Sequence, residues 1–425
     1  MLSFCGRLPV HIVVFTFAVC WPWTSFAVEN LRVPLTVAEA EDLALLNEPG
    51  RAALLARSDA MQERAVAAGQ LPDPTLRVGL ANYPIDGGGF STEAMTQAQV
   101  GVRQAFPRGR SSGSEQSRAA AEALSRSADA RGRDVLMAAR TAWLDAYYAQ
   151  QAWMIVNESR PFFEDLVTIT RSMYSVGRKS QHDVLRAELE LSRLDDRIIE
   201  IGRARSAARA TLSRWIGEAA VRPVAQTLPR WSAPPALTDL YARLESHPSL
   251  VAADADVTAR HAAVRRAEDR KKPDWALDLG YGYRDGFQPD GSPRSDFVSL
   301  SVSVDLPFFS ENRQDRKLAA ALSERRAASQ ARAALKARLR SELDAEFARW
   351  TDLARRLALY KSRILDQSEG QARAALLAYQ SDAGDFADVM RSHIDDLNTR
   401  LDHIRLQVER AQSYAVLANL GGLEQ

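Results

Sequence analysis

The stretch VGVRQAFPRGRSSGSEQ, from Val100 to Gln116, changes from one secondary-structure pattern to another within a few residues. It begins with alternating apolar and polar residues, which is typical of a β-strand with two different faces. Pro107 then ends the strand, and a polar segment typical of a helix follows. The stretch SVSVDLPFFSENRQDR, from Ser301 to Arg316, has the same order of features, with Pro307 at the boundary. The chain is therefore predicted to contain two strand-to-helix junctions.

Four strands are predicted, at residues 74–83, 96–106, 274–284 and 296–306. Each alternates with a period of two and approaches the ~9–11 residues with which a tilted strand crosses a bilayer. A half-buried antiparallel sheet of a water-soluble protein alternates in the same way. Four strands are too few for a membrane barrel, which needs about eight, so a barrel requires several copies of the chain.

The two parts of the chain repeat one order of predicted elements: a helix, two strands, a very long helix, a turn and a returning helix. The first repeat is expected at residues 28–220 and the second at residues 237–425. Between them, residues 221–236 are rich in proline, which excludes a continuous helix and predicts a linker in the form of a surface loop.

A second landmark supports an internal duplication. Tyr174 and Asp183 match Tyr379 and Asp388 at a constant offset of 205 residues. The tip turns at the ends of the long helices are predicted at residues 174–181 and 379–386.

The long helices are predicted from about Ser114 to Tyr174 and from about Glu311 to Tyr379. At a rise of 1.5 Å per residue, about sixty residues extend for about 90 Å. The returning helices place apolar residues three and four positions apart, which is typical of coiled-coil packing. In the second repeat this stripe consists of Ile394, Leu397, Leu401, Ile404, Val408, Ala411 and Ala415. A soluble periplasmic coiled-coil adaptor or scaffold protein would account for these helices, but it would leave the strands unexplained.

Residues 1–27 are predicted to be a signal peptide. Arg7 precedes a short apolar stretch, and Ser25-Phe26-Ala27 fits a cleavage site. The apolar stretch is too short to span a bilayer comfortably, which disfavours an N-terminal membrane anchor. The two cysteines, Cys5 and Cys20, both lie in this leader, so the mature chain is expected to lack disulfides. Lipidation of Cys20 is the alternative, although the residues before it lack the usual small residue.

The composition argues against several classes of function. The 425 residues carry a formal net charge of +1, which argues against a nucleic-acid-binding protein. No phosphate-binding loop, nucleophile motif or cysteine–histidine cluster occurs, so we expect no enzyme activity, no cofactor and no metal site. Four side chains near the tips are expected to be surface or helix-packing residues and not metal ligands: Met173, His182, Met390 and His393.

The order of elements resembles the TolC-like outer-membrane efflux factors over essentially the whole mature chain. The resemblance is carried by LTVAEAEDLALLNEPG near the start, the LPDP strand opening, MTQAQVGVRQAFPRGR at the first junction and the Tyr-x-x-Gly…Asp-Val tip turn. The sequences LPDPTLRVGLANYP and VRQAFPRG are most similar to those of the heavy-metal (Cus/Czc-type) resistance branch, which includes copper/silver and cobalt/zinc/cadmium exporters.

The resemblance implies a mixed α/β membrane protein. Three identical subunits would each give four strands to one outer-membrane β-barrel, which continues into a long periplasmic α-helical barrel. Such a homotrimer is a passive exit duct of a tripartite RND-type pump, opened at its periplasmic tip by an adaptor (membrane fusion) protein and an inner-membrane RND transporter. The implied cargo is heavy-metal cations, and organic toxic compounds are the alternative.

The resemblance also implies where the duct closes. Asp388 matches the gate aspartate of the family's second repeat, and Asp183 is its counterpart in the first. Tyr379 and Tyr174 match the tyrosines that link neighbouring helices. The alternative is that both aspartates are N-cap residues of the returning helices, since aspartate is favoured there.

Two features of the tips depart from the family pattern. Arg391 stands where another acidic residue is common, so that a salt bridge from Arg391 to Asp388 or Asp395 could hold the tip shut instead. Both tip turns contain a glycine, but Gly384 lies later in its turn than Gly177 does.

Overall fold

The computed structural model describes residues 33–423, and the predicted signal peptide with its two cysteines lies outside this part of the chain. The first half contains α1 (Val37–Leu46), α2 (Pro49–Gly69), β1 (Thr75–Ala81), β2 (Gln97–Phe106), α3 (Arg110–Ser175), α4 (Gln181–Ile216) and a 3₁₀ turn (Gly217–Val221). The second half contains α5 (Leu237–Leu244), α6 (Pro248–Asp269), β3 (Asp274–Tyr283), β4 (Phe297–Asp305), α7 (Gln314–Leu359), a π-helical turn (Tyr360–Ile364), α8 (Leu365–Gln380) and α9 (Phe386–Gly421).

The four strands form one antiparallel sheet in the order β1-β2-β3-β4. The central pair, β2 and β3, joins the two halves of the chain. One row across the sheet consists of Val78, Val100, Tyr281 and Val298. The edge strands are β1 and β4, and their outer backbone groups have no strand partner within residues 33–423.

One face of this sheet is apolar and uncovered. A typical row on it contains Leu76, Val102, Leu279 and Leu300, and Leu300 is 68% exposed. All extensive contacts of the strands are with one another, so no helical layer covers this face in the described chain. The sheet therefore differs from the half-buried sheet of a water-soluble protein, in which one face packs on a core.

The two long helices differ from each other. α3 is a single helix of 66 residues, which at 1.5 Å per residue extends for about 100 Å. Pro161 lies inside α3 on an exposed side, where the carbonyl group that loses its helical hydrogen bond can be hydrated. The single helix expected from about Glu311 to Tyr379 is instead α7 and α8, joined by the π-helical turn. Within the described part of the chain, no helix combines the length and the apolar character needed to cross a membrane.

Four apolar clusters hold the helices of the described chain together, the smallest of which joins Val264 of α6 to Ala321 of α7. The first joins α1 to α3, α4 and α9 around Trp143. The second lies towards the tip turns, where α8 and α9 pack against α3 and α4. The third joins Leu343 of α7 to α5, α6 and α9. The apolar stripe expected on α9 lies in the first two clusters, with Leu397, Leu401, Ile404, Val408 and Ala411 buried.

The proline-rich linker is not the plain surface loop that the sequence predicts. Leu35 and Val224 form a parallel bridge, and both side chains are buried. The indole N–H of Trp143 donates to the carbonyl oxygen of Leu35 at 3.0 Å, and Trp231 stacks on Tyr414 with ring centroids 5.1 Å apart. The linker therefore packs against the start of the described chain and against α9, a long-range arrangement that local sequence does not encode.

The third cluster gives a direct test of the fold. Leu343 is fully buried, whereas Leu46 is 81% exposed. We expect Leu343→Ala to lower the free energy of unfolding by about 3 kcal/mol, because it removes buried contacts and leaves a cavity. Leu46→Ala makes the same chemical change on the surface and is expected to cost less than about 1 kcal/mol. Thermal unfolding followed by circular dichroism measures both, and equal losses would contradict this assignment of the core.

Candidate functional site

The first tip turn ends α3 with a Schellman motif. The N–H of Gly177 donates to the carbonyl oxygen of Tyr174 at 2.9 Å, and the N–H of Arg178 donates to that of Met173 at 2.9 Å. Gly177 has a φ of +75°, a left-handed conformation that glycine adopts without strain. The glycine singled out in the sequence therefore terminates the long helix at its tip.

The second tip turn has the same hydrogen bonds with a different residue at the left-handed position. The N–H of Asp382 donates to the carbonyl oxygen of Tyr379 at 3.2 Å, and the N–H of Ala383 donates to that of Ala378 at 2.9 Å. Asp382, with a φ of +65°, thus occupies the place of Gly177. Gly384 has a separate role, because a Cβ atom there would lie 3.0 Å from the Cβ of Ala378. Glycine at this position allows the turn to approach the end of α8.

An ion-pair group joins the two tip turns. The Nζ of Lys179 lies 2.9 Å from Oδ1 of Asp382, and Nη2 of Arg178 lies 3.8 Å from its Oδ2. The Lys179 ammonium also lies 4.8 Å from the centroid of the Tyr379 ring. We call the group of Arg178, Lys179 and Asp382 the tip tie. Sequence reasoning missed it, although the offset of 205 residues that aligns Asp382 with Gly177 was an available signal.

The hydrogen bond between Lys179 and Asp382 favours the charged form of both side chains. The hydrogen bond from Lys179 lowers the pKa of the Asp382 carboxyl, and the same bond raises the pKa of the Lys179 ammonium. Their pairing is therefore present above the usual pKa of aspartate and is lost only as the pH falls through the lowered value. It is also present below the usual pKa of lysine and is lost as the pH rises through the raised value.

The two matching tyrosines have different surroundings. Tyr379 is fully buried in the second apolar cluster, and its ring meets that of Phe386 edge-on at 5.7 Å. Burial raises the pKa of its hydroxyl. Tyr174 is 48% exposed. The residues beside Tyr379 include Phe386 of α9, Lys179 of the first tip turn and Thr170 of α3, whereas Tyr174 is left exposed in the described chain.

The two candidate gate aspartates are third residues of the returning helices and not N-cap residues. Ser180 is the N-cap of α4 and accepts from the N–H of Asp183 at 3.3 Å, while the Asp183 carboxylate accepts from the N–H of Ser180 at 3.2 Å. This capping box occupies Asp183 locally. Asp385 is the N-cap of α9, and Asp388 follows it in the first turn. No hydrogen bond or ion pair joins Asp183 to Asp388 in the described chain.

Arg391 pairs with Asp388 along one helix. The Nη1 of Arg391 lies 3.3 Å from Oδ1 of Asp388, three residues earlier, and both side chains are largely exposed. An exposed pair of this kind stabilises a helix little. Because both residues lie on α9, this pair does not connect two helices. Within a single chain, the ion pairs of the tip tie connect the two tip turns.

Arg108 fastens the first strand-to-helix junction. Pro107 directly follows β2, and the next side chain places Nε 3.0 Å from Asp274 and Nη2 2.6 Å from Asp305. Its Nη1 donates to two backbone carbonyl oxygens just after α6. One side chain therefore connects the ends of β2, β3 and β4 where the sheet gives way to helices. At the second junction, Pro307 follows the end of β4 by two residues.

The candidate metal-binding side chains near the tips are dispersed. Among residues 33–423, no group of three or more histidine, cysteine, aspartate or glutamate side chains is placed to hold a metal ion. Met390 is buried in the second cluster and Met173 packs against it, as expected for helix-packing residues. His182 is exposed. His393 is not a surface residue, since its ring lies 3.8 Å from that of Phe162 and burial lowers its pKa.

The fold is similar to that of solved outer-membrane channels. The CusC transmembrane channel matches with a TM-score of 0.76 and 15% identity, covering 94% of this chain and 95% of that one. The outer-membrane channel OprN matches with a TM-score of 0.74 and 18% identity, covering 91% and 90%. The CmeC channel of Campylobacter jejuni matches with a TM-score of 0.76 and 13% identity, covering 92% and 86%.

These likenesses concern the fold. CusC and CmeC match equally well, so no branch of such channels is singled out. No family model matches the chain, and no curated protein matches it in sequence.

The tip tie predicts a charge-dependent restraint on the two tip turns. Asp382→Asn removes the charge but keeps a residue that tolerates the left-handed conformation. We expect it to speed amide hydrogen exchange in both tip turns by roughly two- to fivefold, as for the loss of a partly exposed ion pair. Asp388→Asn is the control, because the partner of Asp388 lies on its own helix.

The same measurement has a pH dependence. The difference between the native protein and Asp382→Asn, after correction for intrinsic exchange, should persist from about pH 4 to about pH 10. It should vanish in more acidic solution, where the carboxylate is protonated. Equal exchange in the native and Asp382→Asn proteins at neutral pH would show that the tip tie restrains nothing.

Proposed function

We propose that the chain is one subunit of the outer-membrane exit duct of a tripartite RND-type efflux pump. Three copies would close one twelve-stranded barrel in the outer membrane of a Gram-negative bacterium and extend a helical barrel into the periplasm. A periplasmic adaptor protein and an inner-membrane RND transporter would open the tip and supply the energy. The observation that carries this proposal is an uncovered apolar sheet that leads directly into a helix of 66 residues.

The sheet supports closure by several copies. In water, the apolar rows on β1 to β4 would expose a large hydrophobic surface, which favours a lipid environment for that face. In lipid, the unpaired backbone groups of β1 and β4 would each cost several kcal/mol. Pairing β4 of one copy with β1 of the next would satisfy these backbone groups, and lipid around the closed barrel would cover the apolar face.

The helices support the same assembly. α3 packs against both α4 and α9, whereas α4 packs mainly against α3. If the two halves are repeats, the contact between α9 and α3 recurs between α4 of one copy and α7–α8 of the next. Exposed apolar side chains lie on both of these surfaces: Leu185, Leu189 and Ile199 on α4, and Leu359 and Leu377 on α7 and α8. A second copy would also cover Tyr174, as residues of the same chain cover Tyr379.

A soluble periplasmic coiled-coil adaptor or scaffold is the rival function. It accounts for the long helices and for the two tip turns. It requires that the sheet be packed or solvated on both faces, and the exposed rows of leucine and valine oppose this.

We further propose heavy-metal cations, such as copper/silver or cobalt/zinc/cadmium, as the cargo. One support is the sequence similarity of the first strand and junction to the heavy-metal branch. The other is the exposed Asp388 carboxylate, which in three copies would favour cations at the tip. Organic toxic compounds are the alternative cargo. Sensitivity of cells lacking the chain to metal salts, or instead to dyes and detergents, separates the two classes.

The proposed duct is tested with the full-length protein expressed in a Gram-negative host. We expect it in the outer-membrane fraction, extractable only with detergent, trimeric by light scattering, and able to conduct ions in planar bilayers. A water-soluble monomer without conductance would contradict the proposal.

The same bilayer assay tests the candidate gate residue. Asp388→Ala should lower the cation-over-anion permeability ratio and weaken block by divalent cations, because it removes a ring of negative charge. Asp352→Ala is the matched control, since Asp352 pairs with Arg355 at 3.4 Å in the same three-residue geometry on α7. If both variants behave like the native protein, Asp388 has only a local role at the start of α9.

A further inference from the structure

The second strand-to-helix junction exposes apolar side chains that no cluster of the fold uses. Phe308 and Phe309 follow Pro307 and are 78% and 85% exposed. They lie just beyond β4, at the end of the sheet where the helices begin. At that end Phe106 and Trp275 stack with ring centroids 4.0 Å apart.

Basic side chains follow this pair at the start of α7. Arg313, Arg316 and Lys317 are all exposed, and none of them forms an ion pair with another described residue. The nearest carboxylate in sequence, Asp315, is already occupied, since its Oδ1 lies 2.5 Å from Nζ of Lys271.

The charge of this segment remains positive. Asp315 also accepts from the hydroxyl of Ser310 at 2.9 Å. Glu311 is then the one other carboxylate in residues 308–317, and it is exposed. Arg316 acts electrostatically on Asp315 without a close ion pair. The three exposed cations therefore outnumber the one exposed carboxylate of this segment, Glu311, and the segment is suited to a negatively charged partner.

The first junction has the opposite design. Arg108 is only 16% exposed, and its guanidinium is directed at Asp274, Asp305 and backbone carbonyl oxygens. The charge of Arg108 is therefore paired with carboxylates of the same chain. The second junction presents its cations outward, so a purely internal fastening role does not explain them.

We propose that Phe308, Phe309, Arg313, Arg316 and Lys317, here called the junction anchor, bind anionic phospholipid headgroups in the leaflet that faces the helices. The proposal rests on the proposed function, which places the end of β4 at a bilayer surface. Aromatic side chains at that depth occupy the interface between hydrocarbon and water. Cations just beyond them on the chain then meet the phosphate groups of the lipid.

The combination of side chains favours a lipid over a soluble anion. A free phosphate would contact only the cations and would gain nothing from Phe308 and Phe309. A zwitterionic lipid would contact the rings but would gain little from an excess of positive charge. Only an anionic phospholipid uses both parts of the junction anchor.

The test measures lipid binding to the purified, detergent-solubilised full-length protein by native mass spectrometry. The probes are phosphatidylglycerol, phosphatidylcholine and inorganic phosphate at matched concentrations. The charge variant is Arg313→Gln with Arg316→Gln and Lys317→Gln. The apolar variant is Phe308→Ser with Phe309→Ser.

The chain offers a matched control for the charge variant. Three other basic side chains are also exposed and lack a described ion-pair partner: Arg356, Lys361 and Arg363. They lie at the end of α7 and in the π-helical turn, some forty residues after the junction. Arg356→Gln with Lys361→Gln and Arg363→Gln removes the same number of charges far from the junction.

We expect the native protein and the control to bind phosphatidylglycerol at least tenfold more tightly than phosphatidylcholine. The charge variant should lose this preference, by on the order of fivefold per charge removed, and the apolar variant should bind both lipids more weakly. Equal binding of the two lipids by the native protein would overturn the proposal. So would equal losses in the charge variant and its control, or displacement of phosphatidylglycerol by inorganic phosphate. A membrane-embedded trimer without a lipid preference refutes only the junction anchor, whereas a soluble monomer refutes the duct itself.

Discussion

The constraint on which the structure depends is the need of every strand to pair its backbone groups and to cover its apolar side. β1 and β4 each have one unpaired edge, and the apolar face of all four strands has no helical layer over it. A single chain cannot meet both needs. In the proposed duct, closure through further copies would meet the first need, and lipid around the closed barrel would meet the second. These two requirements support the closure by several copies that is proposed above.

Arg108 and the long helices connect the sheet to the tip turns at the other end of the molecule. Arg108 fixes three strand ends to one another where the sheet ends. The long helices then extend for about 100 Å to the tip turns, which Lys179 and Asp382 connect within one chain. Because this pair lies inside a chain, separating neighbouring chains would not break it. An opening movement between copies is therefore compatible with intact tip turns.

Local patterns in the sequence were sufficient to predict the four strands, α3 and the two returning helices, α4 and α9. The alternation of Leu76, Val78 and Leu80 identifies β1, because side chains on a strand repeat with a period of two. The spacing of Leu397, Leu401 and Ile404 identifies the buried side of α9, because such residues share one face of a helix. The long helices and the order of elements follow from the same two periods.

Features set by packing between distant segments were not predictable in this way. Val224 of the linker is buried because it meets Leu35, nearly two hundred residues away in the sequence. The π-helical turn inserts one residue into an otherwise regular pattern, and no local signal marks it. At the candidate site, the family resemblance implies the same role for both matching tyrosines, but Tyr379 is fully buried within one chain and Tyr174 is 48% exposed. Alternation also cannot distinguish a face that meets lipid from one that meets a protein core.

In the proposed duct, one face of the sheet meets lipid and the other meets water. Single cysteines along β4 can carry spin labels, since both native cysteines lie in the predicted leader. In reconstituted membranes, labels at Val298, Leu300 and Val302 should be accessible to oxygen and protected from a water-soluble nickel complex. Labels at Ser299, Ser301 and Ser303 should show the reverse, with a period of two along the strand. Equal access of the nickel complex to both sets would contradict the account.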